Sequence, residues 1–325
     1  MKVLVIGAAG MVGTKLARSF GIDPAPDVEG VALVDVIEPT VPAELAGAGI
    51  ATTTGVLDLR DAAAVAAAVA GRPEVIFHLA AIVSGEAEAD FEKGYAVNFD
   101  GTRTLFEAIR AVPDYCPRVV FTSSIAVFGA PFPPVIPDEF HLTPLTSYGT
   151  QKAMGELLLA DYSRRGVFDG IGIRLPTICI RPGKPNKAAS GFFSGILREP
   201  LAGLDAVLPV EEDVRHWHAS PRAAVGFLRH AMTLDTAPLG ARRSLTMPGL
   251  SATVGEEIEA LRRVAGDKAV ARIRHEPDAT IRWIVAGWPT RFDAARATAL
   301  GFRAEGSFDE IIAAHVEDEL GGVIG

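Results

Sequence analysis

The chain has 325 residues, of which 49% are hydrophobic and 22% are charged, and its formal net charge is −9. At roughly 150 residues per domain, this length predicts two domains, or one large domain with an appended lobe. The negative charge argues against nucleic acid and anionic membrane surfaces as partners. No apolar run reaches the roughly 18 residues that a membrane-spanning helix requires. The two cysteines are isolated, which predicts neither a disulfide framework nor a metal site and favours a reducing cytoplasm.

The chain begins with a β-branched strand, Lys2–Ile6, followed by a glycine-rich turn and a helix over residues 14–20. The first glycine permits a tight turn, the second lets the backbone approach a pyrophosphate, and the third allows close packing of helix on strand. The helix N-terminus adds free N–H groups and the positive end of its dipole. The turn therefore predicts a dinucleotide site formed by Gly7, Gly10, Met11, Val12 and Gly13.

A carboxylate, Asp35, ends the second predicted strand, residues 31–34, about 20 residues after the glycines. An acid at this position accepts hydrogen bonds from the adenosine ribose hydroxyls and repels a 2′-phosphate. Asp35 therefore predicts NAD rather than NADP as the cofactor.

Strands and helices alternate along the first half of the chain, which predicts a parallel sheet with helices on both faces. The fold class is thus α/β, a Rossmann-like doubly wound parallel sheet with a smaller C-terminal α+β substrate lobe. The NAD-binding domain is assigned to residues 1–178 with a return segment at about 213–235, and the substrate lobe to 179–212 and 236–325. The remaining predicted strands cover 51–56, 75–78, 117–122, 171–174, 213–218 and 245–247, and the helices 61–70, 91–112, 146–165, 191–198, 220–232, 254–264 and 308–320.

The candidate chemistry lies in the middle of the chain. Ser124 follows the predicted strand 117–122, where such a strand opens into a cleft, and Tyr148 and Lys152 are four residues apart. On a helix these two side chains share one face, so the ammonium favours the phenolate and lowers the phenol pKa from about 10. The phenolate could then take a proton from an alcohol while the serine holds the same oxygen. Proton removal is half of an alcohol oxidation, and the other half needs a hydride acceptor such as NAD.

Ser124, the Tyr-x-x-x-Lys pair and the Gly-x-x-Gly-x-x-Gly turn together resemble the extended short-chain dehydrogenase/reductase superfamily, that is, the NAD-dependent epimerase/dehydratase family. The resemblance covers nearly the whole chain and is strongest over residues 1–180. It implies that Ser124 holds the substrate hydroxyl, that Tyr148 accepts its proton, and that Lys152 binds the nicotinamide ribose and lowers the tyrosine pKa.

The same resemblance implies further site residues. Asn98 would order the active-site backbone and water, unless it is a polar residue satisfied inside its helix. Asp58 would meet the adenine amino group, unless it caps the alanine-rich helix 61–70. His78 is interpreted as a packed strand-end residue rather than a catalyst. Other cofactor contacts, besides Asn98, Tyr148 and Lys152, are expected from Leu59, Leu79, Ala80, Ala81, Leu175 and Thr177.

Residues 175–200 resemble family members that oxidise a small sugar acid at C2 with NAD. Substrate contacts are then expected from Ser84, Ser124, Tyr148, Asn186 and Arg215. The carboxylate of the acid needs a cation, and Arg215 is preferred because its planar guanidinium binds carboxylates in a bidentate way. Other available cations are Arg181, Lys184 and Lys187. His216, Trp217 and His218 could line the pocket, although core packing is the favoured interpretation of Trp217.

Other activities stay open. A nucleotide-sugar epimerase or dehydratase is disfavoured by Phe128, where epimerases usually have Tyr, and by the sequence of residues 215–218. L-threonine 3-dehydrogenase, from the same branch, is a further alternative. A non-catalytic NAD sensor is disfavoured by the intact Tyr148 and Lys152 pair. The expected partners are a sugar acid and a second copy of the chain, because relatives form dimers through helices that match residues 91–112 and 146–165.

Overall fold

The computed structural model describes residues 1–25, 27–183 and 189–325. Its strands are β1 Lys2–Ile6, β2 Gly30–Asp35, β3 Ala51–Val56, β4 Val75–His78, β5 Arg118–Ser124, β6 Asp169–Leu175, β7 Thr177–Ile178, β8 Ala206–Leu208, β9 Arg215–Ala219, β10 Ser244–Thr246, β11 Leu250–Thr253 and β12 Ile273–His275. Its α-helices are α1 Met11–Ile22, α2 Ala43–Ala46, α3 Ala62–Ala70, α4 Ser84–Ala89, α5 Phe91–Gly94, α6 Thr102–Arg110, α7 Ser147–Arg164, α8 Gly191–Leu201, α9 Pro221–Thr233, α10 Val254–Ala265, α11 Asp267–Val270, α12 Ala279–Ala286, α13 Ala295–Ala299 and α14 Phe308–Leu320. A π-helical segment, Tyr95–Gly101, joins α5 to α6, and Ile125–Val127 and Ala237–Leu239 are 3₁₀ turns.

A seven-stranded sheet has the order β10-β6-β5-β4-β1-β2-β3. The pairs β1–β2, β2–β3, β1–β4 and β4–β5 are all parallel. The chain thus winds outward from β1 in one direction to β3 and in the other through β4 to β6. The reversal between β1 and β4 is the topological switch point of a doubly wound sheet, where ligands bind outside the carboxyl ends of the strands. The predicted Rossmann-like class is confirmed.

Apolar side chains cover both faces of this sheet. Leu4, Ile6 and Ile76 form one buried cluster with residues of α3 and α6. Phe77 alternates to the opposite face, where its ring lies 6.3 Å from the ring of Phe20 on α1. This two-sided burial explains why the strands read as nearly continuous apolar runs.

The described residues form two compact units, the first comprising 1–127, 144–174 and 225–245, and the second 128–143, 175–224 and 246–325. The second unit contains a three-stranded sheet, β11-β9-β7, and a two-stranded sheet, β12-β8. Its core is a separate buried cluster in which α8, α10 and α14 contribute Phe193, Leu197, Leu261, Ile311 and Ile312.

Three predicted elements differ from the structure. The first helix begins at Met11 rather than at residue 14, and the predicted helix 91–112 is interrupted by the π-helical Tyr95–Gly101. The strand predicted at 245–247 is β10, Ser244–Thr246, which joins the seven-stranded sheet instead of the smaller α+β remainder. Among the residues described, no helix combines the length and apolar character needed to cross a bilayer.

Candidate active site

The glycine turn between β1 and α1 forms the first part of the candidate site. Gly7 has a φ of +93°, and a Cβ there would lie 2.5 Å from the Ala80 nitrogen. A Cβ at Gly13 would lie 2.2 Å from the Gly7 oxygen, so packing within the chain requires both glycines. A Cβ at Gly10 would meet only the Gly7 oxygen, at 3.4 Å. Internal packing therefore does not require Gly10, whereas the close approach of a phosphate to this backbone would require it.

Helix α1 begins directly at this turn. Gly10 is its N-cap, in an extended conformation and without a side-chain hydrogen bond to the first turn. Met11 and Val12 are half-buried and present the start of a 12-residue helix. The first N–H groups and the helix dipole suit a pyrophosphate here, so the residues present fit the predicted dinucleotide.

Asp35 stands at the carboxyl end of β2, next to the turn. Its Oδ2 accepts a hydrogen bond from the Ala9 N–H at 3.0 Å, and its Oδ1 accepts one from the Val36 N–H at 2.7 Å. These bonds fix the carboxylate beside the glycines, and each oxygen retains a further lone pair for a ribose hydroxyl. The position fits the role expected of Asp35.

The segment after β4 lies against the same turn. The N–H groups of Leu79 and Ala80 both donate to the Ile6 carbonyl, at 2.9 and 3.1 Å. Leu79, Ala80 and Ala81 are half-buried. Their backbone therefore lies at the carboxyl end of β1, where a cofactor is expected.

Asp58 does not cap the helix that follows it. The cap of α3 is Asp61, whose carboxylate accepts hydrogen bonds from Ala63 and Ala64. Asp58 instead pairs with Arg60 at 2.6 Å, and the hydrogen bond from Arg60 lowers the pKa of this carboxyl. Leu59 is buried in the apolar cluster, and its side chain lies where a Cβ at Gly101 would be.

Asn98 lies in the π-helical segment and is 2% exposed. Its Oδ1 accepts the Ile82 N–H at 2.7 Å, while its Nδ2 donates to the Ile82 carbonyl at 2.9 Å and to Gln151 Oε1 at 2.7 Å. Asn98 therefore orders the backbone that leaves β4. Both amide hydrogens are occupied, so it has none left to donate to the water that was expected there. Mid-helix π segments frequently occur at functional sites.

His78 at the end of β4 is fully buried. Its Nε2 lies 2.8 Å from the Thr102 hydroxyl, which itself donates to the Asn98 carbonyl. Because the hydroxyl proton is used there, Nε2 of His78 carries the hydrogen and donates it. Burial, together with the charge of Lys152, lowers the pKa of His78 to about 3, so the ring is neutral.

Ser124, Tyr148 and Lys152 meet where β5 ends and α7 begins. The Ser124 hydroxyl is hydrogen-bonded to the Tyr148 phenol and accepts a bond from the Ala126 N–H at 3.1 Å. Lys152 donates to the Thr122 carbonyl at 2.8 Å, and its ammonium lies 5.8 Å from the centre of the Tyr148 ring. The serine and the tyrosine can thus hold one substrate oxygen between them.

The electrostatics of Tyr148 differ from the expectation. Burial raises its pKa to about 12, against a smaller lowering by the hydrogen bond with Ser124. Lys152 is 3% exposed, and burial lowers its pKa to about 8, while the Glu156 carboxylate acts in the opposite direction. The ammonium is directed at a backbone carbonyl, so it does not hold the tyrosine pKa below 10.

The expected substrate residues divide between the two units. Ser84 is exposed at the start of α4, in the first unit. Arg215 is in the second unit, where Nη1 donates to the Ser251 carbonyl at 2.8 Å and Nη2 pairs with Glu256 at 3.2 Å. The guanidinium of Arg215, the residue expected to bind the carboxylate, thus already has partners within the second unit. Asn186, Lys184 and Lys187 lie outside the described residues.

The other expected residues of the second unit have identified partners. Leu175 ends β6 and Thr177 begins β7, and the Thr177 hydroxyl lies 2.7 Å from His216 Nε2. His216 Nδ1 donates to the Pro289 carbonyl at 2.9 Å, which leaves Nε2 as the acceptor for Thr177. His218 is fully buried in the core rather than lining a pocket, with Nε2 3.1 Å from Glu257.

Sequence reasoning missed a buried polar group behind Lys152. Glu156 pairs with Arg174 at 2.7 Å, and Ser123 donates to the same carboxylate at 2.5 Å. An acid four residues after Lys152 on the same helix face was the available signal. In the described residues there is no group of three or more His, Cys, Asp or Glu side chains suited to a metal ion.

The fold and the site define a Rossmann-type enzyme that uses a dinucleotide. The chain belongs to the NAD dependent epimerase/dehydratase family, whose model matches residues 3–220, and NAD is accordingly its cofactor. It is 48% identical over 325 residues to a D-erythronate dehydrogenase of Cupriavidus necator, covering 98% of each chain. It is 42% identical to a D-erythronate dehydrogenase of Haemophilus influenzae, covering 98% of this chain and 100% of that one.

A solved structure is also similar. It is a crystal structure from Agrobacterium tumefaciens described as a nucleoside-diphosphate-sugar epimerase, with a TM-score of 0.97 and 63% identity, covering 100% of this chain and 96% of that one. The predicted family and cofactor are confirmed, and the names of these relatives point to two different substrate classes.

Proposed function

We propose that this protein is a dehydrogenase that oxidises the C2 hydroxyl of D-erythronate, with NAD as the hydride acceptor. Two relatives named for this activity match nearly the full length of the chain, at 48% and 42% identity. The observation that carries the proposal is the juxtaposition of Ser124, Tyr148 and Lys152 at the end of β5. An intact proton acceptor beside a dinucleotide site supports redox chemistry over a purely binding role.

The residues of the chain divide the work of the oxidation. NAD, when bound, supplies the acceptor for the hydride that leaves C2. Tyr148, as the phenolate, takes the hydroxyl proton, so a C=O bond forms as the O–H and C–H bonds break. Ser124 donates a hydrogen bond to the same oxygen and fixes its distance from Tyr148. Lys152 contributes positive charge and a donor for a ribose hydroxyl.

Recognition of the acid needs a counter-charge. A buried carboxylate without a partner would be strongly disfavoured, so the site must offer a cation or several N–H donors. We propose Arg215 as the contact of the substrate carboxylate, through the N–H donors that are not used in its bonds to Ser251 and Glu256. Ser84 and Asn186 are proposed to contact the substrate through their hydroxyl and amide groups. Because Arg215 is shared with Glu256, we expect its contribution to be smaller than that of an unpaired guanidinium.

A second candidate is epimerisation of a nucleotide-sugar, which is favoured by the description of the Agrobacterium tumefaciens structure. Phe128 argues against it. The ring is 4% exposed and packs against Phe140 and Phe292, so this position offers no phenol to a substrate.

The test compares substrates and one pair of tyrosine variants. We expect NADH absorbance with D-erythronate, and much less with other four- to six-carbon sugar acids or L-threonine. Tyr148→Phe should reduce kcat by about 10²–10⁴-fold while NAD binding persists, because the ring packs but cannot take the proton. The matched control is Tyr162→Phe. It also removes a phenolic hydroxyl from α7, but this hydroxyl is hydrogen-bonded to Glu107.

Three outcomes would contradict the proposal. Rates of Tyr148→Phe within a few-fold of the parent would exclude this residue as the base. Epimerisation of a UDP-sugar without oxidation of any sugar acid would establish the second candidate. Faster turnover of L-threonine than of any sugar acid would place the chain with the amino-acid dehydrogenases.

We also propose that the protein works as a homodimer in the cytoplasm. Exposed apolar side chains on the first unit support this, since Leu145, Leu157 and Phe91 are 69%, 64% and 55% exposed. Both cysteines are free thiols, which suits a reducing compartment. Sedimentation velocity at micromolar concentration distinguishes a dimer from a monomer.

A further inference from the structure

Three consecutive residues of β5 each hold one residue of α7. The Thr122 carbonyl accepts a hydrogen bond from Lys152, the Ser123 hydroxyl donates to Glu156, and the Ser124 hydroxyl is bonded to Tyr148. The three helix residues are spaced by four, so they form one stripe along α7. The proton acceptor, the lysine and the buried acid are thus fixed by a single strand end.

Glycines allow the helix to come this close. A Cβ at Gly149 would lie 2.2 Å from the Ala126 carbonyl oxygen, and a Cβ at Gly155 would lie 2.7 Å from the Phe121 ring. The helix therefore rests on β5 and the 3₁₀ turn that follows it. Any change in the position of this stripe must move packed backbone or an aromatic ring.

Glu156 is the most constrained member of the stripe. Its side chain is 3% exposed, and both of its oxygens accept hydrogen bonds from Arg174, whose side chain is 8% exposed. Ser123 adds a further bond at 2.5 Å. A carboxylate bound in this bidentate way keeps a fixed orientation. Neither the proton transfer nor the cofactor site described above uses this group.

Titratable or charged side chains from three elements surround Lys152. On α7 it has Glu156 and Tyr148, from β4 it faces His78, and β6 contributes Arg174 behind the acid. His78 is neutral, and the aromatic ring of Phe121 lies 4.9 Å from the ammonium. Burial lowers the pKa of Lys152 to about 8, and Glu156 is the group that opposes this fall.

We propose that Glu156, held by Arg174 and Ser123, is a positioning residue that keeps Lys152 protonated and in line with Tyr148 during the reaction. The inference rests on the proposed dehydrogenase function and extends it to a group that does not touch the substrate. It assigns a purpose to a buried ion pair, which is otherwise weak evidence for stability.

The pH profile provides a signature. The active form needs an ammonium on Lys152 and a phenolate on Tyr148, whose pKa values are about 8 and about 12. Below pH 8 the fraction of phenolate rises about tenfold per pH unit while the lysine stays charged. Above pH 8 this gain is cancelled by the loss of the ammonium, so log kcat/KM against pH should bend near pH 8.

In Glu156→Gln the hydrogen bond from Ser123 can persist, but the negative charge is lost. We expect the bend to move down by about one pH unit, because the opposite charge that favours the ammonium is removed. Activity at pH 6 should match the parent, and activity above pH 8 should be about tenfold lower. A uniform loss at every pH would overturn the proposal, because that is what simple damage to the fold produces.

Two further variants control the experiment. Asp161→Asn removes an acid from the exposed face of the same helix, where it pairs with Arg164, and should leave the bend in place. Glu156→Gln combined with Arg174→Met removes both buried charges, which guards against misfolding caused by an unpaired guanidinium. Its bend should lie between those of the parent and the single variant, and a bend at the parent position would contradict the role of Glu156.

A direct titration separates this inference from the proposed function. In protein with ¹³C-labelled lysine, the Lys152 resonance is assigned by its loss in Lys152→Arg and is then followed against pH by NMR. The midpoint should lie near pH 8 in the parent and lower in Glu156→Gln, with no substrate required. Equal midpoints would overturn the inference even if D-erythronate is the substrate, whereas a lower midpoint without any dehydrogenase activity would overturn only the proposed function.

Discussion

Lys152 and Tyr148 illustrate how burial changes the chemistry of two ordinary side chains. Burial lowers the pKa of Lys152 from 10.5 to about 8 and raises the pKa of Tyr148 from 10.0 to about 12. Both shifts disfavour the charged forms that the proposed oxidation requires, because the low dielectric of the interior penalises either ion. The Ser124 hydroxyl offsets part of this at Tyr148 and Glu156 part of it at Lys152.

Lys152→Arg tests which group causes the bend in the pH profile. Arginine stays protonated to above pH 12, so the ammonium-like charge is no longer lost near pH 8. We expect a lower absolute rate, because the guanidinium does not reproduce the lysine geometry, but a log kcat/KM that continues to rise past pH 8. Lys93→Arg, at an exposed lysine paired with Glu86, should keep the parental bend. A bend near pH 8 in Lys152→Arg would assign it to another group.

At the scale of elements, the glycines in the turn from β1 into α1 are required for two different reasons, internal packing and the proposed approach of a ligand. Close packing within the chain requires glycine at positions 7 and 13, whereas a Cβ at Gly10 would meet only the Gly7 oxygen, at 3.4 Å. The π-helical segment and α6 also have different roles. The irregular backbone of the π-helical segment directs Asn98 toward Ile82, whereas α6 packs on α3. The regular strands and helices thus form the scaffold of the candidate site, and the irregular π-helical segment orients the polar side chain of Asn98.

Gly10→Ala should fold normally and bind NAD poorly. The Gly10 backbone is extended, with φ −71° and ψ 163°, which alanine adopts without strain. The added methyl group would occupy the approach to the helix N-terminus, so we expect the Kd for NAD to rise by about tenfold or more, equal to about 1.4 kcal/mol. Isothermal titration calorimetry and thermal unfolding measure the two effects separately.

The matched control is Gly47→Ala, where a Cβ would also meet a carbonyl oxygen at 3.4 Å but at the end of α2. It should bind NAD as the parent does. Gly13→Ala should behave in the opposite way to Gly10→Ala, with a loss of about 1–3 kcal/mol in the free energy of unfolding from overpacking. If Gly10→Ala bound NAD with the affinity of the parent, the prediction that a phosphate approaches the backbone at Gly10 would be wrong.

For the molecule as a whole, binding of the cofactor and stability are linked. A ligand that binds the folded state stabilises it by about 2.7 kcal/mol at a concentration of 100 times its Kd. The carboxylate of Asp35 is fixed by the Ala9 and Val36 N–H groups beside the position that we propose for the adenosine ribose. The stabilisation of the whole chain should therefore distinguish NAD from NADP.

We expect NAD at millimolar concentration to raise Tm and NADP to raise it much less. Asp35→Asn keeps the size of the side chain but removes the charge that repels a 2′-phosphate, so the difference between the two cofactors should shrink. Glu38→Gln, at an exposed acid bonded to Thr54, should keep the parental preference. A larger Tm shift with NADP than with NAD in the parent would contradict the assignment of Asp35.

The sequence by itself determined the features that depend on short separations along the chain. The strand, the three glycines and the helix that begins after them are local, as is the four-residue spacing of Tyr148 and Lys152. Alternation of strands and helices was enough for the doubly wound class, because parallel strands need crossover helices. The prediction of NAD rather than NADP was made from the position of Asp35 at the end of β2.

The tertiary structure alone decided what depends on groups distant in sequence. Glu156, Arg174 and Ser123 come together from three different elements, and burial lowers the pKa of Lys152 while Glu156 opposes this fall. Arg215 is committed to Glu256 by the antiparallel pairing of β9 with β11, which no spacing reveals. Electrostatic energies depend on distance and on burial in three dimensions, so a sequence can name the charged residues but not their partners.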